Sequence, residues 1–495
     1  MSEHVGYIVK INELNPHSNA DRLQIATIFG ASVIVGLDVK VGDIGVYFPI
    51  DLQLSQEYCE KNNLVRKKDE NGNNIGGYLE PDKRNIRAMK LRGEKSEGLY
   101  MPLESLAYTG VTKFEVGDKV DMVGGHEICR KYIPHGGKPA AAGKKGNRAR
   151  KHTAPIAPLF AEHADTEQLA YNLSAFKEND LIEITLKMHG TSGRTGYLPR
   201  LVGYTATNPF WAIILKKDRE KLGKWGQKMY DYVVSKSIPT YDWGYVTGTR
   251  RVVLDNFDGG FYGDNAFREP HAKVFEGKLH KGETAYYEIV GFTTSGQPIM
   301  PSVSNKKISD KAFSKQYGDT TVFSYGCEAS GEKQVCVKEG EGIFSLEHQP
   351  VPQSDMYVYR MTMTNEDGDV VEYTPDYMRY RCEQMGVKCV PVLCQGYIPS
   401  PVPSTFDFCD NDFVEKERSA GDYIKEIAER YYDGPDPVGK THVREGVVIR
   451  IVNRPKFTAY KHKNFSFKVL EGLAKDLAAE PDMEEAQEEV EDDNS

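Results

Sequence analysis

The alternation of apolar and polar positions divides the chain into four stretches. Over residues 1–125, short apolar runs recur with turn residues between them: ATIFGASVIVGL, VGDIGVYFPID, NIRAMKLRG and EGLYMPL. Runs of this length bounded by Gly and Asp predict short β-strands, and strands that close on themselves with Gly at the corners predict a small β-barrel. Residues 126–160 contain IPHGGKPAAAGKKGNRARKHTAPIAP, the composition of a flexible linker. From 161 to 472, strand patterns (LIEITLK, TAYYEIVGF, MYVYRMTMT, EGVVIRIV) are interspersed with helical ones. EKLGKWGQKMYDYVVSKS places Leu222, Trp225, Met229 and Val233 on one helical face. YIKEIAERYYDG spaces Tyr423, Ile427 and Tyr431 four apart and stops at the breaker DGPDP. Both stripes are expected to pack into a core. Mostly antiparallel strands with helices between them give an α+β class, and residues 473–495 read as an acidic, disordered, solubilising tail.

Charge changes the picture once it is mapped. The formal net charge is −9, yet from Asp476 onward there are ten acids and no base, so the first 475 residues carry +1. Arg130 to Phe160 holds eight bases and no acid. A polyanionic partner is therefore compatible with this chain. KKGNRARK, residues 144–151, suits a nucleic-acid tether, a nuclear-localisation patch or a soluble linker. No run approaches the ~18 apolar residues of a membrane span, and the N-terminus has no apolar core of a secretory signal. Eight cysteines without a C-x-x-C pair argue against a zinc ribbon and for free thiols in a reducing compartment. A cytoplasmic monomer is expected, with the nucleus as the alternative location. G-x-G-x-x-G, P-loop and G-x-S-x-G patterns are missing, which removes support for dinucleotide, Walker-type or α/β-hydrolase chemistry.

Five elements carry candidate chemistry. In LIEITLKMHGTSGR, period 2 turns Ile182, Ile184 and Leu186 toward a core and Glu183, Thr185 and Lys187 to the other face, before a small-residue turn. A lysine there serves as a nucleophile only if its pKa falls from about 10.4; otherwise it is a surface lysine before a turn. In GYVTGTRRVVL, Arg250 and Arg251 suit phosphate or a surface ion pair. Glu288 in the apolar strand TAYYEIVGF needs a base, a sugar hydroxyl or a metal. In MYVYRMTMT, Tyr357 and Tyr359 share a strand face, either as core aromatics or as a stacking platform for a base. In VREGVVIRIV and AYKHKNFSFKVLEG, Glu445 precedes a strand, and Lys461 and Lys463 lie on one face of the next, where an anion between them would relieve their repulsion. In the first stretch, Arg84, Arg87, Lys90, Arg92 and Lys95 form either a polar β-ribbon edge or a phosphate-tracking surface.

The order K-x-H-G, YYEIVG, YVYR, EGVVIR, KHKN resembles the covalent nucleotidyltransferases, the superfamily of polynucleotide ligases and mRNA capping enzymes. His189, where DNA ligases and capping enzymes typically have Asp, together with FYG at Phe261–Gly263 and K-x-K-N at Lys461–Asn464, resembles the RNA ligase 2-like branch. NPHSNADRLQIATI resembles the opening of tRNA-binding OB domains, and RNIRAMKLRGEKSEGLYMPL a strand pair of the OB-type module fused to some ATP-dependent RNA ligases.

The resemblance implies an OB-like module followed by a nucleotidyltransferase (ATP-grasp-like ligase) domain of antiparallel sheets with flanking helices. It implies that Lys187 forms a covalent lysyl-AMP. His189 would organise the turn and the adenylate pocket. Arg250, with Arg251 as the register alternative, would contact phosphate or ribose. Glu288 would bind ribose or position a metal, and Tyr359, with Tyr357 as the alternative, would stack on adenine. Glu445 would be the main metal-linked carboxylate, and Lys461 and Lys463 would bind the α-phosphate. ATP and Mg²⁺ or Mn²⁺ are implied, with Arg84, Arg87, Lys90 and Arg92 on RNA. The chain departs from the family at Ser192, where Asn is common, and at Arg360, where Asp is common. The activity implied is joining of 3′-hydroxyl and 5′-phosphate RNA ends through lysyl-AMP and AMP-RNA. A DNA ligase or a capping-type guanylyltransferase is the alternative within the superfamily, and a non-catalytic RNA-binding protein the alternative outside it.

Overall fold

Strand Gly6–Lys10 pairs antiparallel with Ile44–Phe48 and with Lys119–Val120, and Ile44–Phe48 pairs on with Leu99–Pro102. A second sheet joins Leu14–Pro16, Leu23–Ile28 and Ala31–Gly36. Alternation sends Ile8, Val46 and Phe48 into a cluster with Leu52, Leu54, Tyr58 and Leu106. Val9, Ile11 and Tyr47 go to a second cluster with Ala26, Ile28, Val33 and Val35. Burial on both faces explains why these strands read as continuous apolar runs. Cys129–Lys131 pairs with Leu52–Leu54, and Tyr132 N–H donates to the Asp51 carbonyl at 2.9 Å. The first module thus continues to residue 132, past the expected start of the linker at 126.

The structure is a computed structural model that describes residues 4–68, 74–132, 154–164, 166–254, 256–257, 265–294, 299, 337–338, 342–343, 354–409, 412–439 and 443–477. The KKGNRARK cluster, Phe261–Gly263, Cys327, Cys336 and the tail beyond 477 lie outside the described residues.

The second domain is built on two sheets. One has the order Glu167–Gln168, Ala459–Lys463, Gly446–Ile451, Leu181–Leu186, Val392–Tyr397. The other has the order Val253–Leu254, Ile238–Gly248, Thr191–Thr205, Glu283–Gly291, Ser354–Thr364, Val370–Glu372, with Lys388–Cys389 lying parallel to Ser354–Thr364. Residues 187–190 carry the chain from the first sheet to the second. Ile182 and Ile184 pack with Val447, Ile449 and Ile451 under helix Ala420–Tyr431. Ala285, Tyr287 and Ile289 pack with Met356 and Val358 under helix Pro375–Met385. Ala157 and Phe160 are buried against Leu198 and Val246, so the end of the expected linker belongs to this domain.

The two helical stripes fare differently. In Ala420–Tyr431, Ile424 and Ala428 are buried, and Tyr423, Ile427 and Tyr431 pack at the edge of the same core. In Lys224–Ser235 only Val233 is buried, and Trp225 is 75% exposed. The expected core role of the Trp225 and Met229 face does not hold. This helix belongs to an insertion at the far end of the paired strands Thr191–Thr205 and Ile238–Gly248, where it packs on the short helix Pro209–Leu215 instead of on a sheet.

The modules meet directly. The Phe29 and Tyr171 rings pack edge-on at 5.0 Å, Lys425 Nζ donates to the Gly30 carbonyl at 3.2 Å, and Lys468 Nζ pairs with Glu97 at 3.1 Å.

Candidate active site

A cavity of about 680 Å³ opens between the two sheets of the second domain, with Phe29, Tyr47 and Glu97 of the first module on its wall. Lys187, His189, Arg250, Arg251, Glu288, Tyr359, Glu445, Lys461 and Lys463 all line it. Lys187 and Lys463, 276 positions apart in the chain, thus share one cleft.

Strand pairing places Lys187 and Glu445 together. Leu186 lies opposite Val447, and the Lys187 N–H donates to the Gly446 carbonyl at 3.0 Å. Gly446 has φ +148°, and a Cβ there would meet the His462 carbonyl oxygen at 2.2 Å, so only glycine fits beside Glu445. Glu445 is 3% exposed. Its Oε1 is 2.7 Å from Lys187 Nζ and 3.4 Å from Lys463 Nζ, and its Oε2 is 3.5 Å from His189 Nδ1. Burial alone would raise this carboxyl, but the Lys187 and Lys463 ammoniums, with His189, hold it well below the usual carboxylate range. The His189 ring meets Phe467 edge-on at 4.8 Å, which fixes its approach to Glu445.

Lys461 and Lys463 lie opposite Val448 and Gly446 on strand Ala459–Lys463. Lys463 Nζ also donates to both carboxylate oxygens of Glu471, at 3.1 and 2.9 Å. His462 between them stacks on Tyr432, with ring centroids 4.8 Å apart and planes 12° apart. Burial, then the Lys468 and Lys425 charges, push its pKa down to about 3. The motif's Asn464 is buried and structural. Its N–H donates to the Glu445 carbonyl at 2.8 Å, and its Oδ1 accepts from the Ser466 N–H at 2.7 Å at the start of helix Phe465–Leu477.

On the facing sheet, Ser192 lies opposite Glu288, and Glu288 opposite Tyr357. Tyr359 lines the cavity, whereas Tyr357 is buried with its hydroxyl 3.1 Å from Asp355 Oδ2. Arg360 ion-pairs with Glu372 and lies over the Tyr286 and Phe457 rings at 4.5 and 4.8 Å, a buried clamp outside the cavity. Arg250 and Arg251 both line the cavity, so the choice between the two registers stays open.

Two buried arginines escaped the sequence reading as functional groups. Arg194 donates to the carbonyls of Thr249 at 3.0 Å, Arg251 at 3.0 Å and Phe160 at 3.3 Å, and to that of Ala161, and so holds the turn that carries Arg250 and Arg251. Arg268 donates to the Ser192 carbonyl at 2.8 Å and to Thr191 Oγ1 at 2.7 Å, and so fixes the turn after His189. Arg194 ends the first motif among small residues, which is a visible signal. Arg268 lies outside all five elements, and Glu471 has no signal beyond being an acid on a helix.

The basic ribbon of the first module is more mixed. Lys90 and Lys95 lie opposite each other in the hairpin Met89–Leu91/Glu94–Ser96, with Arg92 at its tip, and all three are exposed. Lys95 Nζ is 5.2 Å from the Phe465 ring of the second domain. Arg87 is half-buried, and Arg84 donates inward to the carbonyls of Leu54 at 3.2 Å and Pro81 at 2.7 Å. None of the five lines the cavity.

The donor set suits a hard divalent cation of open coordination. Glu445 Oε2 is buried and makes no hydrogen bond, and Glu288 lines the same cavity. Among the described residues there is no cluster of three or more His, Cys, Asp or Glu. One or two carboxylates completed by water and phosphate oxygens are what Mg²⁺ commonly accepts, whereas a closed protein cage is not provided.

The chain thus places a two-sheet domain, with a lysine at the crossover between its sheets, behind a small antiparallel module. The OB-fold domain family matches residues 5–103. The chain shares its fold with an RNA ligase from Naegleria gruberi: a variant solved with ATP and Mn aligns with a TM-score of 0.50 at 15% identity, covering 94% of this chain and 98% of that one. A variant of the same enzyme with AMP and Mn has a TM-score of 0.49 at 16% identity over 95% and 99%. Its structure with PPi has a TM-score of 0.47 at 15% identity over 94% and 98%. No curated protein matches the chain by sequence. Among the described residues no helix is long and apolar enough to cross a membrane.

Proposed function

We propose that this chain is an ATP-dependent RNA ligase that joins a 3′-hydroxyl to a 5′-phosphate RNA end, with Lys187 as the nucleophile. The observation that carries the reading is Lys187 Nζ held 2.7 Å from a buried carboxylate, in a cavity lined by four further lysines and three arginines. The Naegleria gruberi enzyme of the same fold, solved with ATP and Mn, supports the choice of nucleotide and metal.

In the first step the neutral Lys187 amine attacks the α-phosphorus of ATP. An N–P bond forms, the bond to the β-phosphate oxygen breaks, and pyrophosphate leaves. Glu445 orients the amine through the 2.7 Å contact, and the ammonium proton passes to water before the attack. Lys461, Lys463 and Arg250 offset the charge that builds on the phosphates, and catalysis rests on that and on positioning. Tyr359 offers a face for adenine. A divalent cation, Mg²⁺ or Mn²⁺, would be held by Glu445 and Glu288 with water and phosphate oxygens, and would supply further charge neutralisation. In the second step a 5′-phosphate oxygen of RNA takes the AMP and Lys187 leaves. In the third, a 3′-hydroxyl attacks the activated 5′-phosphate and AMP leaves. The exposed Lys90, Arg92 and Lys95 ribbon would track RNA phosphates.

The test is incubation with α-labelled ATP or GTP and Mg²⁺ or Mn²⁺, followed by a denaturing gel, beside Lys187→Ala. Label from ATP alone, lost in the variant, together with sealing of RNA 3′-hydroxyl ends, is the expected result. Label from GTP would make it a capping-type enzyme, and sealing of 3′-deoxyribose ends alone a DNA ligase. Folded protein that takes no label would overturn the covalent mechanism.

A further inference from the structure

The insertion 206–237 has no place in the chemistry above. It carries seven bases and three acids. Arg219 is bidentate to Asp231 at 2.6 and 2.7 Å, and Lys221 pairs with Asp218 at 3.4 Å. Lys216, Lys217, Lys224, Lys228 and Lys236 make no ion pair among the described residues, and all are exposed. Interleaved with them are exposed aromatics: Phe210 at 81%, Trp225 at 75% and Tyr232 at 54%. Burying these rings on one another would have cost the chain nothing in composition, yet only Trp211 and Tyr232 meet, edge-on at 6.2 Å.

Position adds direction. Thr191–Thr205 and Ile238–Gly248 pair continuously, with one irregularity, from Arg194/Gly248 to Thr205/Ile238. At ~3.3 Å per residue this ribbon runs for about 35 Å. Its near end carries Ser192 and leads into Arg250, on the cavity wall, and its far end carries the insertion. Lysines without counter-ions attract phosphates, and exposed aromatic rings among them offer stacking faces to unpaired bases.

We propose that the 206–237 insertion is a second RNA-binding site, which holds single-stranded RNA flanking the ends to be joined, about ten stacked nucleotides (~3.4 Å each) from the cavity. The polynucleotide identity of the ligand rests on the function proposed above; the charge and ring pattern of the insertion is independent of it. An apolar protein partner fits less well, because the exposed rings alternate with unpaired lysines.

Two variants of the full chain test it: Phe210→Ala/Trp225→Ala, and Lys217→Glu/Lys224→Glu/Lys228→Glu. Each is compared with the unmodified chain for covalent labelling by ATP, and for binding to splinted 5′-phosphorylated RNA with single-stranded flanks of about 5 or about 20 nucleotides. The expected result is unchanged labelling and equal binding of short-flank RNA. Binding of long-flank RNA should weaken at least tenfold, with the salt dependence of the charge variant reduced by a slope of about 2. Equal affinity of variant and unmodified chain for long-flank RNA, with labelling intact, would overturn the proposal and leave the ligase reading standing. So would a change confined to self-association in sedimentation, which would assign the surface to a second copy. Absence of labelling in the unmodified chain would sink the ligase reading, and long-flank affinity would still judge the insertion.

Discussion

The guanidinium of Arg194 donates to the carbonyl of Arg251 at 3.0 Å, across 57 residues of chain, and thereby holds the turn carrying Arg250 and Arg251 against the cavity. Arg194 is 1% exposed and bonds three further carbonyls. A turn that carries two adjacent cations has little reason to stay folded against a third without such bonds, so Arg194 is a positioning residue.

Arg194→Met should therefore cost about 3 kcal/mol of stability, because a cation bound to carbonyls is lost and the carbonyls stay buried. At temperatures where the variant is folded, the KM for ATP in covalent labelling should rise about tenfold with a smaller change in maximal rate. An unchanged KM would show that the turn holds without Arg194.

Glu445→Gln keeps the shape of the side chain and removes its charge. Lys187 and Lys463 then face each other without the negative charge they now share through Oε1, at 2.7 and 3.4 Å. Covalent labelling should fall on the order of 100-fold or more, the scale seen when one charged group leaves a preorganised site. Rapid-quench labelling at saturating ATP measures this, and labelling within a fewfold of the unmodified rate would exclude Glu445 from the chemistry.

Tyr359 and Tyr357 sit two residues apart and should separate cleanly. Tyr359→Ala removes a cavity wall and should weaken ATP binding by about 1–3 kcal/mol, the worth of a base stack. Tyr357→Ala empties a buried site and should cost about 3 kcal/mol or more of stability instead. Nucleotide titration and urea unfolding on both variants decide which tyrosine serves the base.

His462 makes stability depend on pH. Its pKa is held near 3 in the folded chain against about 6.5 unfolded, so between those values the unfolded chain binds a proton that the folded chain does not. Stability should fall as pH is lowered below about 6.5, by up to ~1.4 kcal/mol per unit. His462→Phe keeps a ring against Tyr432 and should flatten this slope between pH 5 and 6.5 in urea titrations. The depressed Glu445 carboxyl acts in the same direction but only below about 4.5, so its contribution is spared in that window.

What the sequence by itself determined is local. Period-2 alternation over Leu181–Leu186 turned Ile182 and Ile184 into the core and brought Thr185 and Lys187 to the cavity, because side chains on a strand can only alternate. The order of the motifs, read through the family they resemble, singled out Lys187, Glu288, Glu445 and the Lys461/Lys463 pair, which line one cavity. The tertiary structure alone decided what touches what. Glu445 and Lys187 meet because two strands about 260 residues apart pair in one register, and Tyr359 lines the cavity while Tyr357 is buried with its hydroxyl on Asp355. Arg268 lies outside the five elements, Glu471 and the first module's Glu97 lie inside quoted segments without being singled out there, and long-range packing brings all three to the site. The same physics explains the stripe at Trp225: 3.6-residue periodicity shows that a helix has an apolar face, but whether that face is covered depends on what the rest of the chain places against it.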